Sequence, residues 1–370
     1  MGVARVKLQS PEFAADPTRA YEDLRRRYGP VAPIELADGV PATLVLGYRE
    51  ALRILGDPEH FPADPRGRQY RSAYLAAVAE IDQYRLRSTV ESAAMPLING
   101  FCGAGYADLL ADYARPLTLI VLSDLIGFPP RLRTEAGAAL LDLAEAADTA
   151  TSDLAERQFR TVLAELVAVK RDSPGRDVVS TLIGHADAFD DTEIVDQLTR
   201  LCVMGAEPTW NLIVNTLVLM ADDTGFHDDL MAGSLQLRDA IDSVLFTDPP
   251  LANACPRFPQ QPQVIASSLL PANQPVLISI TACNNDPAVS GDHTGNRSHL
   301  AWGRGPHTCP AQPIASIIAR EALDQLLDAL PEIKLAIPLT DLPWRPSTFH
   351  RAPAAVPVTF PPSLPVGPRA

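Results

Sequence analysis

Residues 302–310 read Trp-Gly-Arg-Gly-Pro-His-Thr-Cys-Pro, and no other stretch restricts what this chain can become as strongly. Gly303 and Gly305 allow a tight turn and a close approach to a flat ligand, and His307 puts a basic group two positions before Cys309. An apolar helical pattern follows at Ile314, Ile317, Ile318, Leu323, Leu326 and Leu327. Proline is favoured at a first helical position, so the spacing places Pro310 there and makes Cys309 the expected N-cap of a buried helix. A free thiol ionises near pH ~8.5, and a helix N-terminus or a metal lowers that value. The loop therefore reads as one that presents a thiolate to a metal. The competing reading is a buried structural cysteine beside a glycine turn.

Composition narrows the setting. With 370 residues and 46% hydrophobic content the chain can bury a large core, and no Gly/Ser linker or charge block divides it, so residues 1–370 are expected to form one domain. The five cysteines are odd in number and form no CxxC, which argues against a disulfide framework or a zinc ribbon. A net charge of -14 disfavours nucleic acid as a partner. The first residues lack an apolar signal core, and no run of about 18 apolar residues suggests a membrane span. The expectation is a cytoplasmic globular protein.

The pattern along the chain is mostly helical with small strand regions. Asp16 and Pro17 open a helix that runs to Tyr28 and stops at Gly29-Pro30, and Val31 to Leu46 reads as a hairpin around Asp38-Gly39. Helices are predicted over Tyr48–Leu55, Tyr106–Leu125, Pro130–Ala147, Ala155–Lys170 and Val178–Gly184. No internal repeat is present. The prolines crowd the connections and the stretch from Pro331 to Pro368, which reads as loops and short strands.

The longest helix is predicted from Asp190 or Asp191 through Met220, about 30 residues or roughly 45 Å. Its centre, Leu198, Leu201, Cys202, Val203 and Met204, is apolar on every side and is expected to cross a core. Gly205, Glu207 and Pro208 interrupt it: the proline removes a backbone hydrogen bond, and a buried carboxylate is costly unless used or paired.

On these residues the chain resembles the cytochrome P450 superfamily, whose haem loop reads Phe-Gly-x-Gly-x-His-x-Cys-x-Gly; Trp302 stands for the Phe, Gly303, Gly305, His307 and Cys309 match, and Ala311 replaces the last Gly. The resemblance covers about residues 16 to 362. It implies a mainly α fold with small peripheral β-sheets, and haem b buried between the long central helix and the cysteine loop, its iron held by Cys309. It aligns Met204, Gly205, Ala206, Glu207 and Pro208 with the distal Ala-Gly-x-Glu/Asp-Thr pattern, so the acid is kept and the alcohol is not. Thr209 follows one helical step later, rotated by about 100°, and cannot simply replace that hydroxyl. Glu207 and Thr209 are the catalytic candidates, Glu207 as a proton relay or, in the competing reading, as a capped or salt-bridged residue beside a kink.

The family's Glu-x-x-Arg pair falls on Ser243 and Phe246, so that ion pair is absent, as in some actinobacterial subfamilies. The resemblance assigns the haem propionates to Arg257 and Arg87, places Gln83 where the family has histidine, and adds His307 as a donor, with Trp302, Gly303, Gly305 and Gly205 lining the cofactor. Pro310 offers no backbone N–H to the sulfur, which would leave the thiolate more electron-rich. Candidate substrate contacts, assigned by family position, are Met204, Leu251, Ala254 and Phe349, within segments that include Pro65 to Leu75.

The implied activity is a monooxygenase or oxidase of bacterial secondary metabolism acting on a small organic molecule, by hydroxylation or by oxidative coupling of aromatic rings, an aromatic cyclodipeptide being one suitable substrate. Electrons would come from a ferredoxin and its reductase. The alternative is a P450-like helper protein without turnover.

Overall fold

The computed structural model describes residues 6–36, 39–64, 71–146, 148–185, 187–222, 235–289, 291, 295–365 and 367. The chain divides into two compact units: residues 1–69, 214–309 and 335–356 form one, and residues 70–213, 310–334 and 357–370 the other.

The first unit is built on a five-stranded sheet in the order Val6–Lys7, Val31–Glu35, Pro41–Val45, Val276–Ser279, Asn253–Arg257. The hairpin expected from Val31 forms, pairing Val31 with Val45 and Glu35 with Pro41; Asp38 lies outside the described residues. Side-chain alternation sends Val31, Val45, Val276 and Ile278 to one face, where Ala51, Ile54, Leu55, Phe61 and Leu300 cover them. Ala32, Ile34, Ala42, Leu44 and Leu277 meet Leu8, Phe13, Tyr21 and Leu24 on the other. Asp16 caps the Pro17–Tyr28 helix through the Arg19 N–H at 3.0 Å, and Gly29 ends it with φ +76°. The last strand pairs Asn253 with Ser279, then bulges between Ala254 and Arg257. A bulge re-aims the side chains of its strand, and here it turns Arg257 into the interior at 3% exposure.

The second unit is helical. Gln83–Phe101 packs on Gln312–Ala329, and Pro130–Glu145 packs on Thr149–Asp172. Thr149–Asp172 begins six residues before the predicted start because Asp148 accepts the Thr151 N–H at 2.8 Å. The helix predicted over Tyr106–Leu125 is instead three pieces. Tyr106–Asp108 is a strand paired with Pro357–Thr359, Leu110–Ala114 is a π-helical turn, and Arg115–Ile126 is the helix, with Pro116 in its first turn.

The long helix runs from Asp191 to Asp222, 32 residues, and continues through Pro208. Its centre is not buried all round: Met204 is 58% exposed and Leu201 and Val203 are half-buried. Among the described residues no helix is long and apolar enough to cross a membrane.

Candidate functional site

In the first unit, the cysteine loop is closed by its own backbone. The Cys309 N–H donates to the Trp302 carbonyl at 2.8 Å, the Gly303 N–H to Leu300 O at 2.8 Å, and the Thr308 N–H and hydroxyl to Gly305 O at 3.1 and 2.8 Å. Gly303 and Gly305 have φ of +67° and +71°. A methyl on Gly305 would lie 2.7 Å from the Leu55 carbonyl oxygen, and one on Gly303 3.3 Å from Cys255 Sγ. These glycines are therefore required for close approach to the chain itself. Cys309 is not the helix cap: the following helix starts at Gln312 with Ala311 as N-cap, and Pro313 rather than Pro310 occupies its first turn. Pro310 lies before the cap, where the chain is still turning.

Burial sorts the thiols. Cys102, Cys202 and Cys283 are buried, and loss of solvent pushes Cys202 up to about 12 and Cys283 well above its ordinary value. Cys283 donates to Val45 O and Gly47 O, both at 3.5 Å. These are core side chains. Cys309 is half-buried on a shaped loop, and Cys255 beside it carries a left-handed φ of +53°. The Cys255 thiol is raised by burial first, lowered by Arg257 and raised by Cys309.

Arg257 gives the clearest test of whether a carboxylate-bearing group fits this loop. Its Nη1 donates to the carbonyls of Cys255 at 3.3 Å and Pro256 at 3.0 Å, while Nε is buried without a partner. No ion pair of Arg257 occurs among the described residues, and burial draws its pKa down. A buried guanidinium left in this state is costly, and a propionate supplies the missing acceptor in bidentate form. The residues present thus fit haem, by a soft sulfur on a loop and a buried cation two residues after the second thiol. Trp302 and His307 are half-buried on the same loop.

Three of the substrate candidates come together in this unit. Leu251 forms an isolated antiparallel bridge with His350, the Asn253 N–H donates to Phe349 O at 3.2 Å, and the Arg351 N–H to Pro250 O at 3.0 Å. Leu251 and Ala254 are half-buried and Phe349 is 43% exposed. Of the candidate segment 65–75, residues 65–70 lie outside the described residues.

In the second unit, Met204 is exposed, Gly205 half-buried, and Glu207 and Thr209 buried. A methyl on Gly205 would meet only Leu122 Cδ1 at 4.0 Å, ordinary contact, so local packing does not demand glycine there. Gln83 is the exposed first residue of the Gln83–Phe101 helix, behind the cap Asp82. Arg87, one turn on, is engaged by Glu321, which also takes Arg320 at 2.8 Å. The two arginines assigned to propionates therefore differ: Arg87 has a protein carboxylate and, among the described residues, Arg257 has none. Sequence reasoning passed over Gln197 and Asn211, both fully buried with amide atoms lacking partners. The available signal was their position as uncharged polar residues inside an apolar helical run.

No protein-family model matches the chain. Its sequence is 27% identical over 385 residues to the cytochrome P450 monooxygenase PikC of Streptomyces venezuelae, covering 94% of this chain and 92% of that protein. It is 28% identical to the mycinamicin IV hydroxylase/epoxidase of Micromonospora griseorubida, covering 91% and 96%. Among solved structures, P450BioI in complex with a fatty-acid-ligated acyl carrier protein superposes with a TM-score of 0.85 at 22% identity, over 95% of this chain and 99% of that one. CxnD, described as the P450 for C–S bond formation in chuangxinmycin biosynthesis, superposes with a TM-score of 0.87 at 24% identity, over 99% and 100%.

Proposed function

The chain belongs to the cytochrome P450 superfamily, and from that premise we propose that it oxidises a small organic molecule in bacterial secondary metabolism, with Cys309 as the residue that would hold the iron of haem b. The carrying observation is the closed Cys309 loop, with Gly303 against Cys255 Sγ, and a buried Arg257 two residues after Cys255 whose Nε lacks a partner. When bound, the haem supplies O2 activation, since a thiolate ligand favours O–O cleavage.

The protein's own contributions divide by residue. Cys309 holds the metal as thiolate, and Arg257 neutralises a propionate. Glu207, buried on the long helix, passes a proton at its carboxylate, and Thr209 lies beside it. Leu251, Ala254, Phe349 and Met204 offer apolar surface to the substrate. The relatives' oxidations of natural products support a monooxygenase; oxidative coupling, with an aromatic cyclodipeptide as one candidate substrate, is the finer reading. A ferredoxin and its reductase would deliver electrons.

The test is the ferrous carbon monoxide spectrum of the purified protein beside Cys309→Ala. The parent is expected to show the long-wavelength band of thiolate-bound haem and the variant to lose it. A haem-free parent, or a variant with an unchanged spectrum, would overturn the assignment and leave the helper reading.

A further inference from the structure

The Leu237–Thr247 helix ends in a sequence that cannot finish its own hydrogen bonding. The carbonyls of Leu245 and Phe246 would be met by the N–H groups four residues on, but those residues are Pro249 and Pro250, which have none. Two consecutive asparagines replace them. Asn284 Nδ2 donates to Leu245 O at 2.8 Å, and Asn285 Nδ2 donates to Phe246 O at 3.2 Å, Thr247 O at 3.3 Å and Thr281 O at 2.9 Å.

The two asparagines then diverge. Asn284 is 2% exposed, and its Oδ1 accepts the Leu300 N–H at 2.8 Å, so one buried amide joins the helix end to the chain entering the cysteine loop. No bond of Asn285 to the loop is present among the described residues. From Leu300 the hydrogen bonds continue forward: Leu300 O accepts from Gly303, and Trp302 O from Cys309. The same helix grips the preceding residues at two more places. Asp242 pairs with Arg297 Nε at 2.9 Å, and Phe246 meets the His299 ring edge-on at 5.3 Å and 86°. His299 is nearly enclosed, its side chain 4% exposed, and lies 3.9 Å from Asp242.

We propose that Asn284 is a positioning residue for Cys309: its amide sets the register of residues 297–300 on the Leu237–Thr247 helix, with Asp242 and His299 closing the same clasp, and that register aims the sulfur. The inference rests on the reading of Cys309 as the haem ligand. A buried amide satisfied at both ends tolerates neither loss of a partner nor a shift in length, which makes it a stronger register device than the half-exposed Asp242–Arg297 pair.

The experiment compares Asn284→Leu with Asn285→Ala, both loaded with haem and reduced under carbon monoxide. Asn284→Leu is expected to lower the ratio of the thiolate-ligated complex to the non-thiolate complex about tenfold, the scale for a buried hydrogen-bonding group that loses its partners. Asn285→Ala, which uncaps the same helix without touching the loop, is expected to keep the parent ratio while melting earlier. If Asn284→Leu yields no soluble protein, Asn284→Asp decides. It keeps the acceptor for Leu300 but turns an oxygen on Leu245 O, and it too must shift the ratio. A parent-like ratio in the soluble Asn284 variant, or an equal shift in Asn285→Ala, overturns the proposal. A parent without the thiolate band overturns the ligand assignment first and this inference with it.

Discussion

Arg257 and Arg87 carry the same charge in two very different settings. Arg257 sits at the end of a bulged strand, buried, with Nε unpartnered and only backbone oxygens around Nη1. Arg87 is half-buried where the Gln83–Phe101 and Gln312–Ala329 helices pack, and is already paired with Glu321. Two guanidiniums that a motif treats alike are thus unlike in what they still lack, and the one left unsatisfied is the one available to a ligand carboxylate. The glycines repeat the contrast: Gly305 is pressed against the Leu55 backbone, whereas Gly205 has room for a methyl.

The comparison can be broken most directly at the arginines. Arg257→Ala is expected to weaken haem retention about 100-fold, the loss of two charge-assisted hydrogen bonds, while Arg87→Ala costs less than about fivefold because only a partly exposed ion pair is removed. Competition of both variants against apomyoglobin for haem measures it, and equal losses would erase the distinction. At the glycines, Gly305→Ala should destabilise the protein by about 2 kcal/mol, from a left-handed φ and a clash with backbone. Gly205→Ala should instead gain up to about 1 kcal/mol in the haem-free protein through helix propensity. Urea midpoints of the two variants give the signs.

The smallest effect concerns His299. Burial, opposed by Asp242, lowers its pKa from the ordinary 6.5, so the folded state favours the neutral ring. The unfolded chain therefore binds the extra proton first. The stabilising contribution is full above the unfolded value of about 6.5 and is lost as pH falls from there through the lower folded pKa. Asp242, Arg297 and Arg238 are the charges that share its cluster. His299→Gln should flatten part of the fall in melting temperature between about pH 7 and about pH 5.5, and an unchanged slope would remove His299 as its source.

Much of the fold was legible where the signals are local. Asp16-Pro17 and Gly29 mark the two ends of a helix because a cap, a fixed φ and a left-handed stop act within a few residues. The long helix was read to within about two residues of both ends, since Asp191 and a sustained apolar pattern define it. Tyr106–Leu125 misled because its apolar residues satisfy a helical period while its first residues pair with a strand about 250 positions later. Gln83–Phe101 was missed, Pro96 in its interior arguing against a helix that tertiary packing nevertheless holds. Among the candidate residues, Cys309 and its glycines in one unit and Glu207 in the other stood out by type and spacing. Asn284 did not, because an asparagine after an apolar run reads as an ordinary turn residue until its two partners are seen.

Residue order alone was sufficient to establish a glycine-built cysteine loop, the long helix with an acid at its centre, and a chain made chiefly of helices, since each depends on chemistry acting between near neighbours. Folding in three dimensions settled the rest. It engaged Arg87 and left Arg257 open, moved the helix cap from Cys309 to Ala311, and joined Leu245 to Leu300 through Asn284. Those outcomes depend on which polar groups meet after residues far apart in sequence are buried together, and burial is what makes a missing partner costly.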